Sequence, residues 1–231
     1  MRVRVCSAIF FDIQEGCSGM ANGEPSHWAR WHADYDDPNS GLYRRLAVVV
    51  SRIGQALDAA PPGPIRLVSA CAGQGRDVVA ALRDHPRRDD VRGRLVELDP
   101  GNIRACRSAL ASAELHQVEV AQEDAGWTEA YIGAVPAHVV LLCGVFGNIS
   151  DDDIENTIRR ARQLCVPGAT VIWTRHRREP DLVPAVRDWF RESGFEEIAF
   201  DSVVDAFGVG MNRMVSSPEP FVPGVRLFEF I

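Results

Sequence analysis

The sequence has no run approaching the ~20 consecutive apolar residues that a membrane-spanning helix requires. It has no Cys-x-x-Cys pair either: Cys6, Cys17, Cys71, Cys106, Cys143 and Cys165 lie far apart. That spacing argues against a zinc site, and several of these thiols sit in apolar runs, where cysteine behaves as a small buried hydrophobe. No metal is expected, and a reduced, cytoplasmic protein is. A basic balance is also absent. With 25 Lys+Arg against 32 Asp+Glu the formal net charge is −7, which argues against nucleic acid held by its phosphates. The chain shows no internal repeat of about 20–50 residues and no low-complexity tract.

What is present suits one substantial core, since 46% of the 231 residues are hydrophobic. The first segment, "MRVRVCSAIFFDIQEGCSGM", starts basic, but Asp12 interrupts its apolar stretch and no Ala-x-Ala site follows, so no signal peptide is expected. Residues 1–19 read either as an extension ahead of Met20 or as an edge strand built on "RVRVC". Residues 20–60 read as a helical cap: a short helix, a turn at Pro38–Gly41, and a longer amphipathic helix stopped by Pro61, Pro62 and Pro64.

From residue 61 to 231 short apolar runs alternate with helical patterns. "PIRLVSA", "RGRLVEL", "HQVEVAQ", "AHVVLLCGV" and "ATVIWTR" read as strands. "GRDVVAALRDH", "PGNIRACRSALASAE", "DDDIENTIRRARQLC" and "DLVPAVRDWFRESG" read as the helices between them. The alternation predicts an α/β doubly wound, Rossmann-like sheet in a three-layer α/β/α arrangement, mostly parallel. "FEEIAFDSVV" and "VRLFEFI" are expected to close it as an antiparallel C-terminal pair joined by a long loop.

In such a sheet the ligand lies beyond the carboxyl ends of the strands. "SACAGQGRD" fills that place after the first strand, where Gly73 and Gly75 allow close backbone approach. Glu97 ends the second strand, 22 residues after Gly75, and is suited to accept hydrogen bonds from both ribose hydroxyls. Asp99 competes for that role but, directly before Pro100, fits better as a helix cap. After the third strand, Asp124 and the Ala125 amide either meet an adenine edge or start a short helix.

Taken as an ordered set over roughly residues 60–230, these stretches resemble the class I S-adenosylmethionine-dependent methyltransferases. "LVSACAGQGRD" is similar to their glycine-rich motif, "LVELDPGNIRACR" to their ribose-acid motif and "QEDA" to their adenine motif. The resemblance implies S-adenosylmethionine as cofactor, held by Ser69, Ala72, Gly73, Gly75, Arg76, Asp77, Glu97, Leu98, Asp124, Ala125 and Cys143. Two departures stand out: Ser69 replaces the usual acid and Cys71 the usual first glycine. The resemblance also implies an N-terminal helical lid, which brings His32 and Tyr35 forward as candidate bases beside His176 after the fifth strand. Trp31, Phe146 and Asn148 are expected to line the acceptor pocket, and Trp173 reads as core or pocket. "CGVFGNI" lacks the prolines of enzymes that methylate nucleic-acid or protein nitrogens, so a small-molecule acceptor is implied. The second reading keeps the fold and the cofactor but drops the transfer, leaving a regulator or another cofactor-dependent enzyme.

Overall fold

The apolar runs assemble into one seven-stranded sheet in the computed structural model, which describes residues 35, 37, 39–203 and 207–231. The strands are β1 (Ile65–Ala70), β2 (Val91–Glu97), β3 (Val118–Gln122), β4 (Ala137–Leu142), β5 (Cys165–His176), β6 (Phe195–Val203) and β7 (Phe207–Met214). Five α-helices accompany them among the described residues: α1 (Gly41–Ala59), α2 (Arg76–Leu82), α3 (Pro100–Ser112), α4 (Asp151–Arg160) and α5 (Val183–Glu192). Residues 1–34, which include the expected extension and the first part of the helical cap, lie outside the described residues.

Each helix has a local cause. Ser40 caps α1 by accepting from the Tyr43 amide at 2.9 Å, and the helix ends just before Pro61. Asp99 does the same for α3, accepting from the Asn102 amide at 2.8 Å, with Pro100 in the first turn. Three aspartates open α4 and two arginines close it, each sign facing the helix-dipole end that favours it.

The strand order is β3-β2-β1-β4-β5-β7-β6, with β1 to β5 parallel and β7 antiparallel to both neighbours. Alternate residues feed two cores. Val68, Val140 and Trp173 pack with α4 and α5, whereas Leu67, Leu141 and Ile172 pack with α1, α2 and α3. The chain leaves β1 for β2 on one side and later places β4 on the other, so the crevice past their carboxyl ends is the topological switch point. Among the described residues no helix is long and apolar enough to cross a membrane.

The ending of the sheet departs from expectation. The partner of β6 is not "VRLFEFI" but "FGVGMNRM", which was expected to be loop, inserted between β5 and β6. Its glycines weaken its strand signal, yet they are why it fits. A Cβ on Gly210 would run into the Trp173 indole, and one on Gly208 would stand 2.9 Å from the Phe200 ring. Residues 225–231 form only isolated bridges, Trp127 with Arg226 and Ile149 with Phe230. Leu227 and Phe228 are nevertheless buried, and scattered hydrogen bonds, such as the Leu227 amide to Gly126 at 2.7 Å and Thr157 Oγ1 to the Leu227 carbonyl at 3.0 Å, hold this segment together with packing instead of a ladder. Gly210→Ala should therefore lose about 1–3 kcal/mol of stability by overpacking, read as a lower urea midpoint at unchanged slope.

Candidate active site

The turn after β1 is shaped by backbone conformations that favour glycine. Cys71, Gly73 and Gly75 have φ of 52°, 56° and 66°. Gly75 is further constrained by packing, because a Cβ there would lie 2.6 Å from Cys106 Sγ. Gly73 differs: a Cβ there would meet nothing within 4 Å, so its face is open for a ligand. Hydrogen bonds from the Ala72 amide to Val96 and from the Gly75 amide to Ala72, both 2.9 Å, tie the turn to the end of β2.

Glu97 completes the cradle. Its side chain is 4% exposed and accepts from three backbone amides: Gly73 at 2.7 Å, Leu98 at 2.9 Å and Asp99 at 2.8 Å. The Gly73 contact joins Glu97 directly to the glycine turn. Asp99, its rival in the sequence, is the α3 cap.

Tyr35, Arg45, Arg76 and Asp77 gather beside this turn. The Arg45 guanidinium donates to the Tyr35 hydroxyl at 2.6 Å, and Arg76 lies 5.4 Å from the centre of the Tyr35 ring. Arg45 also stacks on Phe207 at 4.9 Å. Burial raises the Asp77 carboxyl above its ordinary range, against the Val78 amide and Arg45. Burial also raises the Tyr35 phenol, against Arg45, and raises the Cys143 thiol, with Asp77 adding to it. A raised phenol stays protonated at neutral pH, so Tyr35 is better suited to donate a hydrogen bond than to remove a proton.

After β3 both Asp124 oxygens already have partners. One accepts from the Gly126 amide and the other from Arg226, each at 2.8 Å. Arg226 also covers Trp127, 4.9 Å from its ring centre. The Ala125 carbonyl accepts from the Tyr131 hydroxyl at 2.8 Å.

The loop after β4 is tied to the end of β5. The Gly144 amide donates to Thr174 Oγ1 at 2.9 Å, and the Asn148 side chain donates to the Gly144 carbonyl at 2.8 Å, bracing this loop. Phe146 requires a correction: it is fully buried among Trp173 and Phe190, so it belongs to the core and does not line an open pocket. Trp173 is likewise core. Trp31 and His32 lie outside the described residues.

His176 contacts Arg175 through its Nε2. A guanidinium only donates, so Nε2 is the acceptor and the neutral ring carries its proton on Nδ1. Burial, with Arg175 and Arg178 alongside, lowers His176 to about 4, while Asp181 acts the other way. The ring is therefore neutral at neutral pH, with Nε2 against Arg175 and Nδ1 buried without a partner among the described residues. Because the folded value lies below the ordinary 6.5, His176 adds stability as pH rises from about 4 towards 6.5 and loses it on acidification. A histidine-detected NMR titration should show its ring neutral down to about pH 4, with a midpoint that climbs in Arg175→Met.

Sequence patterning alone singled out neither Arg45 nor Arg175. The signal available was a charge on an inward-facing position. Arg45 lies three residues after Leu42 and four before Val49 on the apolar stripe of α1, and Arg175 shares a strand face with Val171 and Trp173.

No protein-family model and no curated protein matches the sequence. Solved structures do. An O-methyltransferase family protein from Burkholderia thailandensis matches with TM-score 0.61 and 18% identity over 77% of this chain and 57% of that one, so the chain spans little more than half of its length. The 1,6-didemethyltoxoflavin-N1-methyltransferase of Burkholderia thailandensis, solved with 1,6-didemethyltoxoflavin and S-adenosylhomocysteine, matches with TM-score 0.57 and 15% identity over 86% of this chain and 94% of that one. The [4+2]-cyclase SpnF matches with TM-score 0.54 and 13% identity over 78% and 81%. The protein has the fold of the class I S-adenosylmethionine-dependent methyltransferases.

Proposed function

We propose that the protein is an S-adenosylmethionine-dependent methyltransferase that acts on a small-molecule acceptor. The observation that carries this reading is the joint cradle of Gly73 and Glu97 at the switch point: an open glycine face beside a buried carboxylate. The residues fit the cofactor. Glu97 takes the ribose hydroxyls, with Leu98 beside it. Ser69, Ala72, Gly73, Gly75, Arg76 and Asp77 surround the methionine part, and Cys143 lies at the carboxyl end of β4 near the methyl group. Asp124 and Ala125 flank the adenine while Arg226 fixes the Asp124 carboxylate.

S-adenosylmethionine supplies a methyl group already activated by its sulfonium, so the protein's task is mainly orientation. The chain must hold the acceptor atom ~3–3.5 Å from the methyl carbon and in line with the leaving sulfur. Tyr35 acts as a hydrogen-bond donor to the acceptor, which leaves positioning as the principal contribution of the site.

Isothermal titration with S-adenosylhomocysteine and, separately, NAD tests the cofactor. Micromolar binding of the first alone supports the reading, and binding of NAD alone overturns it. The SpnF likeness and the Ser69 and Cys71 departures keep one rival, a non-transferring enzyme or regulator on the same fold. Turnover separates them, because a methyltransferase accumulates S-adenosylhomocysteine with some acceptor.

A further inference from the structure

Asp77 and Arg45 are opposite charges brought to one spot without forming an ion pair. Asp77 lies in the first turn of α2, two residues beyond Gly75, and Arg45 comes to the same place from α1. Arg45 draws the Asp77 carboxyl down from a distance, against the burial that raises it. Both charges also act on the Cys143 thiol just past β4, Asp77 raising it and Arg45 lowering it. The three groups therefore surround the carboxyl ends of β1 and β4, which are neighbours in the sheet. Neither charge has an ionic partner among the described residues. Asp77 Oδ1 accepts from the Val78 amide at 2.8 Å, and no side chain donates to the carboxylate. Arg45 gives one N–H to the Tyr35 hydroxyl at 2.6 Å and stacks on Phe207, which leaves its other donors without an acceptor.

Holding a carboxylate and a guanidinium half-buried and apart is costly, because each loses water without gaining the other. Direct contact would offset that cost, yet the fold keeps the two separate. Room remains beside them. Asp77, Arg45 and Cys143 each keep part of their surface in solvent. A Cβ on Gly73, ahead of Asp77, or on Gly144, next to Cys143, would meet nothing within 4 Å. Ser69, near the end of β1, is uncharged and only 2% exposed, so Asp77 is the carboxylate on this side of the turn. Glu97 is on the other side, tied to the amides of Gly73, Leu98 and Asp99.

We infer that Asp77 and Arg45 together hold the α-amino-acid end of the cofactor, Asp77 taking its ammonium and Arg45 its carboxylate. An α-amino acid carries both charges on one carbon, so it can bridge two opposite groups that are kept apart. A planar guanidinium matches a carboxylate, and the ammonium meets in Asp77 a carboxylate that no other cation touches. Glu97, proposed above for the ribose, stands across the glycine turn, so the two acids divide the cofactor between them. The inference rests on the methyltransferase reading for the identity of the cofactor. It places half of the charge recognition outside the glycine turn, on α1, so the same contact ties that helix to the bound cofactor.

The test is calorimetric titration of the full chain with three probes. These are S-adenosylhomocysteine, its decarboxylated form, which keeps the ammonium, and methylthioadenosine, which lacks both charges. The wild-type protein should bind S-adenosylhomocysteine at least about tenfold more tightly than either of the others. Arg45→Met should weaken S-adenosylhomocysteine at least about tenfold and leave the other two within about threefold. Asp77→Asn should weaken both ammonium-bearing probes at least about threefold and leave methylthioadenosine within about twofold. Near-equal binding of all three probes to the wild type overturns the inference while leaving the adenosine site standing, and it is read whether or not either variant folds. An equal loss for all three probes in a folded variant also overturns it, because a structural role would weaken every ligand alike. Binding of none of the three to the wild type overturns the cofactor reading itself, and the charge assignment with it.

Discussion

Glu97→Gln is expected to weaken S-adenosylhomocysteine binding at least about tenfold, the loss of roughly one charge-assisted hydrogen bond of 1.5–3 kcal/mol. The argument begins in the unliganded turn. The Glu97 carboxylate accepts from the amides of Gly73, Leu98 and Asp99, so one oxygen faces the glycine turn and the other faces the start of α3. The substituted side-chain amide keeps a single acceptor oxygen. Whichever way it is turned, its NH2 must point at a backbone N–H, leaving donor against donor. Stability should fall too, by about 1–3 kcal/mol for a buried group left unmatched. The three amide bonds imply that affinity and stability fall together. Titration calorimetry and a denaturation curve on the same sample separate the two effects. Asp99→Ala is the control: losing the α3 cap should cost about 1 kcal/mol of stability and leave affinity nearly unchanged. A folded Glu97→Gln protein with unchanged affinity would falsify the ribose assignment.

What could be read from sequence follows the physics of burial. β1, β4 and the second half of β5 are apolar runs because both faces are covered by helices, whereas the edge strand β3 alternates, and both patterns are visible without a structure. Glu97 and Asp99 were separable because Pro100 marks the helix start. The last strand was not legible. "FGVGMNRM" reads as loop because glycine weakens strands, and its glycines are explained only by rings of Trp173 and Phe200 contributed from elsewhere in the chain. The opposite error concerned "VRLFEFI", which is apolar enough to read as a strand but buries the consecutive residues Leu227 and Phe228 and forms only isolated bridges. Asp124 stands out locally as an acid after a strand, yet its pairing with Arg226, 102 residues away, cannot be inferred from local pattern. Arg175 was hidden for the same reason: a charge inside "ATVIWTR" looks like a strand end until its burial is known.

Trp173→Ala should be the most destabilising single change in the sheet, about 3–5 kcal/mol for a large buried aromatic, against a typical total of only about 5–15 kcal/mol. Trp173 is fully buried, stacks on Phe190 with ring centres 5.7 Å apart, and meets Phe146 and Phe200 at 6.1 and 6.2 Å. Its indole N–H donates to Asn212 Oδ1 at 2.8 Å, and Asn212 is itself buried, so the truncation also orphans a side-chain amide. Trp173→Phe isolates that second part, keeping a ring while losing the hydrogen bond, and should cost less than the alanine. The glycine at 210 supplies an independent check. Gly210→Ala is harmful because its methyl group meets the indole, so in a Trp173→Ala background the same change should cost little or even fill part of the cavity. A double-mutant cycle should therefore give a coupling of about 1 kcal/mol or more, as contacting residues do. Additive effects would mean that the two side chains do not share this space. If Trp173 lined a pocket, Trp173→Ala would leave stability near native; as a fully buried core residue, it should lower stability first.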